Sequence, residues 1–311
     1  MLNILFLTCV ESFTVTSLNG IGEDTFQALN GHSLSLKRLG LMSLEPAAWD
    51  SIDILSTPNL ESLTLEPSAT ARNLAPLIAD KVVLWLKQCV CLKELEITSF
   101  PHTDSVLADV LQNPDIRLTS LILRRLESGA TRFYEHLACQ KDLRHLAIPS
   151  FDDEDDEEII FIERHVNFVK ALAEFQNLRR LITNEPFQPA EFQAIIQSNP
   201  FIEELVLNGF GRGEVFLKLL GSLPRLKSVQ ILSETAFSMD TFTNFFNMIE
   251  AQPEADHEGF QFYLAQQDSA YKFSDEQEAW LDNEIRRRFG GRFFISYQAD
   301  PDDLHESDFS D

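Results

Sequence analysis

The side chains here best suited to metal or nucleophilic chemistry are seven histidines and four cysteines, and their spacing points away from both. His32, His102, His136, His145, His165, His257 and His305 are scattered, and none stands beside a cysteine or carboxylate at a ligand spacing. Cys89-Val-Cys91 lacks the two-residue gap and the second ligand pair of a zinc site, while Cys9 and Cys139 stand alone. Four scattered thiols are too few for a disulfide framework, so they read as reduced and the chain as cytoplasmic or nuclear. The sequence contains no H-E-x-x-H, G-x-S-x-G or phosphate-cradling glycine loop. The glycine-rich stretch from Asn208 to Gly213 follows a strand pattern and reads as a turn into a helix. The expectation is no catalytic residue, no metal, no cofactor and no enzyme activity.

The other chemistry on offer is anion recognition. Arg124 and Arg125, Arg144 and His145, and Arg179 and Arg180 recur at related places in the chain. Guanidinium groups bind carboxylate or phosphate bidentately, so a basic centre made of these six residues would take an acidic or phosphorylated peptide. Glu94 and Glu96 come before the cluster and Glu203 and Glu204 after it. The plainer reading is that the arginines balance these acids on an exposed surface. In a related reading, the acidic run Asp152–Glu158 occupies the cluster in the unbound protein.

What must position these residues is a recurring hexapeptide, with apolar residues at its first, fourth and sixth places. It reads VESFTV at Val10, LKRLGL at Leu36, LESLTL at Leu60, LKELEI at Leu92 and LTSLIL at Leu118. It continues as LRHLAI at Leu143, LRRLIT at Leu178, IEELVL at Ile202 and LKSVQI at Leu226. Successive copies start 24 to 35 residues apart, mostly inside the window of leucine-rich repeats. The last two apolar places have the period of a strand. Between hexapeptides the apolar spacing changes to that of a helix. Leu74, Leu77, Ile78, Val82, Trp85 and Leu86 form one stripe, and Val106, Leu107, Val110 and Leu111 another. Ile159, Ile162, Val166 and Val169 form a third; Phe192, Ile195 and Ile196, then Phe242, Phe245, Phe246 and Ile249, continue the series.

Strand then helix at this period requires parallel strands joined by crossover helices. The expected fold is an α/β solenoid, a horseshoe with strands on the concave face and helices on the convex one. In this register at least His145 and Arg180 face the concave side. Three places after each hexapeptide, where such repeats often carry Asn or Cys, stand mostly apolar residues such as Leu44, Phe100, Leu126 and Phe151. That turn should be packed with side chains, which fits 25 phenylalanines. At the C-terminus, a capping box from Ser274 to Gln277 opens a helix that ends on Arg286–Arg288 and Gly290-Gly291. A short strand, 293–297, completes a cap over residues 274–297. The N-terminus has no such cap: either residues 1–9 add a minimal strand, or the chain is the remainder of a longer one. The organisation is one irregular solenoid over residues 1–297, about nine repeats from residue 10, with an acidic loop at 152–158 and a disordered acidic tail at 298–311.

The net charge of −24 is concentrated in that loop and tail, which hold seven and six acids. A chain this acidic is not expected to bind nucleic acid or an anionic membrane. The apolar residues 1–10 are too short, and lack the flanks, for a signal peptide.

The hexapeptides resemble the leucine-rich repeats of the ribonuclease-inhibitor-like superfamily over residues 10–265. The irregular spacing, the apolar turn position and the acidic tail are most similar to fungal-type F-box/leucine-rich-repeat proteins, although no F-box precedes the first repeat. That resemblance implies a monomeric protein-interaction module, the substrate-recognition part of an SCF-type ubiquitin ligase receptor, holding a Skp adaptor only if an F-box lies upstream. Ran GTPase-activator-type regulators resemble the same superfamily and can end in an acidic tail; a plain scaffold is the third reading.

Overall fold

The computed structural model describes residues 10–16, 21–71, 74–126, 131–148, 158–208, 213–232, 235, 237–252, 256–267 and 272–297. Contacts divide the chain into two compact units, 1–175 and 176–311. The loop at 152–157, the tail at 298–311, and the expectations placed on residues 1–9 lie outside the described residues.

In the first unit, strands β1 Ser12–Val15, β2 Arg38–Leu44, β3 Ser62–Pro67, β4 Glu94–Thr98, β5 Ser120–Arg124 and β6 His145–Ile148 alternate with helices. The helices are α1 Glu23–Asn30, α2 Pro46–Trp49, α3 Pro76–Leu86, α4 Thr103–Leu111, α5 Arg132–Leu137 and α6 Glu158–Glu174. The second unit runs β7 Arg180–Thr183, α7 Pro189–Ser198, β8 Glu204–Leu207, α8 Val215–Leu220, β9 Ser228–Ile231, α9 Met239–Glu250, β10 Gln261–Gln267, α10 Asp275–Phe289 and β11 Arg292–Tyr297. Within each unit every strand pairs in parallel with the next in sequence. This is the leucine-rich repeat architecture, and all nine hexapeptides supply strands. Strand β10 was not among them.

The three apolar places of a hexapeptide become one layer of core. Leu92, Leu95 and Ile97 are buried, as are Leu118, Leu121 and Leu123, and again Ile202, Leu205 and Leu207. The backbone repeats too. At the start of β4, Lys93 and Glu94 both donate N–H to the Glu61 carbonyl, and at the start of β5 Thr119 and Ser120 both donate to that of Lys93. This keeps consecutive strands in one register, so a given hexapeptide place falls in one row across each unit.

At this turn Ser68 is buried but polar, hydrogen-bonded to Thr70, while Leu44, Phe100 and Leu126 pack it with apolar side chains. Ser43, Ser99 and Arg125, each immediately before one of these, have positive φ of 55°, 50° and 54°. Ser99 and Arg125 directly follow β4 and β5, and Ser43 is the last residue but one of β2; each swings the next side chain inward. Pro186 departs from the rule: it is exposed and its neighbour Phe187 is buried in its place. Phe151 lies outside the described residues.

Two helical stripes differ from expectation. Leu77 is 63% exposed, and Ile162 and Val166 are 52% and 56% exposed. Helix α6 instead buries Phe168, Ala171 and Leu172, with Phe175 just beyond its end. Both sets have helical spacing, and the one richer in aromatic area takes the core. The other stripes, on α4, α7 and α9, are buried as expected. The C-terminal helix α10 carries its expected end signals: Ser274 and Gln277 make the capping box, and Gly290 takes a left-handed conformation at φ 68°. Beneath it Phe242 makes edge contacts with Phe237, Phe262, Phe273 and Phe293. Much of the phenylalanine content is used here.

Candidate functional site

The basic residues occupy different ends of their strands. In the first unit His145 opens β6 opposite Ser120 and Glu94, on the exposed strand face. Arg144 precedes it and is exposed. Arg124 closes β5 on the same face, and Arg125 follows in the left-handed turn. Because Ser120 pairs with His145, Arg124 lies four residues further along the strand direction, about 13 Å at strand rise. The structure therefore keeps Arg124 and Arg125 apart from Arg144 and His145. Arg179 and Arg180 belong to the second unit, where Arg180 opens β7 opposite Glu204.

Three of these cations already have carboxylates. Arg124 Nε lies 3.0 Å from Glu96, Arg179 Nη1 3.0 Å from Glu203, and Arg180 Nε 3.1 Å from Glu204. These are the acids that flank the cluster in sequence. All three pairs are exposed and contribute about 0.2–1 kcal/mol each, so a bound carboxylate or phosphate could replace them at small cost. Among the described residues no carboxylate is paired with Arg125, Arg144 or His145.

The strand face of the second unit has a different character. One row, set by register, runs Ile182, Val206, Gln230, Tyr263 and Phe294 across β7 to β11. Ile182, Val206 and Gln230 are half-buried, while Tyr263 and Phe294 are 37% and 47% exposed. The adjacent row is polar: Arg180, Glu204, Ser228, Gln261 and Arg292. Flat aromatic and branched aliphatic area beside a polar margin is the composition of a protein-binding patch. This row was missed in the sequence because β10 was missed. The available signal was the pair of runs Phe262-Tyr263-Leu264 and Phe293-Phe294-Ile295, apolar at outward as well as inward places.

Beside this row lies a cleft of about 590 Å³, lined by Tyr263, Arg292 and Phe294 from the strands and by Asp275, Glu278 and Asp282 from α10. Glu278 accepts the Tyr297 hydroxyl hydrogen at 2.6 Å. Burial and this carboxylate hold the Tyr297 phenol well above its ordinary range, so it remains a donor. Asp282 Oδ1 accepts the Phe293 N–H at 3.1 Å, and its other oxygen meets Arg286 at 2.5 Å.

The cysteines are chemically unlike one another. Cys89 is buried beside Thr57 and Trp85, and burial pushes its thiol up to about 11; Cys91 and Cys139 are exposed. Among the described residues no group of three or more His, Cys, Asp or Glu side chains is placed to hold a metal ion. Among the same residues no helix is long and apolar enough to cross a membrane.

No protein-family model and no curated protein matches the chain. Solved structures do. The leucine-rich repeat-containing protein LegL7 from Legionella pneumophila is 18% identical, with 90% of this chain and 91% of that one covered and a TM-score of 0.47. A Bacteroides fragilis protein is 12% identical, with coverages of 78% and 68% and a TM-score of 0.40. A TLR13–ssRNA13 complex is 13% identical over 95% of this chain and 44% of that one, with a TM-score of 0.42.

Proposed function

We propose that this chain is a protein-interaction module that holds its partner on the exposed strand face. The observation that carries this reading is the row Ile182, Val206, Gln230, Tyr263 and Phe294, which leaves aromatic and aliphatic area exposed at fixed spacing on a rigid scaffold. Strands about 4.8 Å apart fix these side chains before any partner arrives, so little ordering entropy is lost on binding. The test is affinity purification of tagged wild-type chain and of a Val206→Glu, Tyr263→Glu variant from its own cells. A partner held in stoichiometric amount by the wild type and lost by the variant supports the reading. Equal recovery by both overturns it.

Within this reading the module is the substrate-selecting part of a ubiquitin ligase receptor. Arg144 and His145 on the first unit, and separately Arg180 on the second, are offered to an acidic or phosphorylated segment. Replacing Arg144 and Arg180 with Glu should abolish capture of such a peptide, and unchanged capture removes that role. The alternative, a small-GTPase regulator, is separated by adding purified chain to a panel of GTP-loaded GTPases, since only a regulator speeds hydrolysis.

A further inference from the structure

Among the described residues the second unit ends on β11, with no further strand beside it. Arg292 donates its N–H to the Phe260 carbonyl, and Phe294 is the register partner of Tyr263, so alternate residues of β11 bond to β10. Phe293 and Ile295 therefore turn their N–H and C=O groups away from the sheet. The direction is visible at Phe293, whose N–H goes to Asp282 on α10. At Ile295 no described residue takes these groups. An exposed edge of this kind is a template for one more strand.

We propose that this edge binds an extended segment of a partner protein that carries lysine or arginine. The cleft beside it supplies the selectivity. Asp275 and Glu278 line one side, and the exposed rings of Tyr263 and Phe294 the other. Glu278 is met by the Tyr297 hydroxyl and not by a cation, while Asp275 is exposed. Asp282 is already matched by Arg286. One cation, Arg292, lines the cleft against three carboxylates, so it is net anionic. A strand added at Ile295 would lay alternate side chains toward the acids, and the side chains between them beside the rings of Tyr263 and Phe294. An acidic segment would meet Asp275 and Glu278 with like charge.

This inference rests on the reading of the chain as an interaction module, and its test is independent of partner capture. The probe is a short fluorescein-labelled peptide of alternating lysine and valine, with alternating glutamate and valine as control, titrated with the full chain at physiological salt and read by anisotropy. The lysine peptide should bind and the glutamate peptide should not. Asp275→Lys should weaken binding roughly tenfold. Ile295→Pro, which removes an outward N–H but no bond to β10, should abolish it, its fold checked by thermal melt. Asp240→Lys on α9, which does not line the cleft, should change it little; this controls for the general attraction of an acidic protein. The edge site is overturned if the two peptides bind alike, or if Asp275→Lys and Asp240→Lys have equal effect. Failure here with partner capture still lost in the strand-face variant removes only the edge site. Peptide binding with partner capture unaffected by that variant removes the strand face and keeps the edge.

Discussion

The two adjacent glycines that join α10 to β11 should respond very differently to the same substitution. Gly290 has φ 68°, and a Cβ added there meets nothing within 4 Å. Gly290→Ala costs only the left-handed backbone, about 1–2 kcal/mol, partly offset by a less flexible unfolded chain. Gly291 has no positive φ, but a Cβ there would lie 1.6 Å from the Phe260 carbonyl oxygen, 2.5 Å from its carbon and 2.9 Å from its nitrogen. The obstacle is backbone, so no rotamer relieves it. Phe260 is fully buried against Phe245 and Phe289, and its carbonyl takes the Arg292 N–H at 3.1 Å. Relief therefore means breaking that bond, worth about 1 kcal/mol, and shifting a packed ring or releasing β11, for roughly 1–3 kcal/mol more. Gly291→Ala should thus destabilise by about 2–4 kcal/mol and Gly290→Ala by about 1 kcal/mol. Urea unfolding followed by tryptophan fluorescence reports both, since Trp280 lies in α10. If β11 merely detaches, hydrogen exchange at Arg292–Tyr297 will lose its protection while the midpoint moves less. A Gly291→Ala chain that keeps both its midpoint and that protection would refute the argument.

Three further outcomes are expected. Ser99→Gly should raise stability by about 1 kcal/mol in the same urea assay, because it relieves a φ of 50° and deletes a buried hydroxyl with no hydrogen-bond partner among the described residues; a loss of stability would contradict the assigned strain. Iodoacetamide at pH 8, followed by peptide mapping, should label Cys91 and Cys139 quickly and spare Cys89, whose thiol is buried and pushed up to about 11; rapid native labelling of Cys89 would disprove its burial. Glu214 accepts hydrogen bonds from Thr241 and Ser238 at the start of α9, and these hold its carboxyl below the ordinary range. A depressed folded pKa gives stability that is full above the unfolded value and lost as pH falls through the folded one. The melting-point gap between wild type and Glu214→Gln should therefore be present at neutral pH and close on acidification; a gap that widens instead would reverse the assigned sign.

How much could be read in the sequence depended on what fixed each feature. The strands were legible because three apolar residues per hexapeptide serve one purpose, and Leu95, Leu121 and Leu205 are all buried for it. The turn was half legible. Apolar Leu44, Phe100 and Leu126 predicted side-chain packing, but nothing in the sequence marked Ser43, Ser99 and Arg125 as left-handed. Glycine or asparagine would have given the signal, and the chain tolerates strain there instead. Helix α6 misled because Ile162 and Val166 repeat with the same period as Phe168, Leu172 and Phe175. Periodicity gives spacing, while which stripe faces inward depends on the volume to be filled.

The candidate site shows the same division more sharply. Arg124, Arg144 and Arg180 looked like one cluster because they fall near successive hexapeptides, but a hexapeptide has two ends. Register puts Arg124 about 13 Å along the strand direction from the position of His145. Sequence proximity to a repeat is therefore insufficient; only residues at the same place within the repeat share a row. Applied to the second unit, that rule passes over the paired arginines and picks out the outward places 182, 206, 230, 263 and 294. There the side chains that face solvent are ones whose burial would be favourable, and Arg179 and Arg180 are matched by Glu203 and Glu204. Those two arginines are locally balanced while apolar area is left over, so the apolar row holds driving force for association.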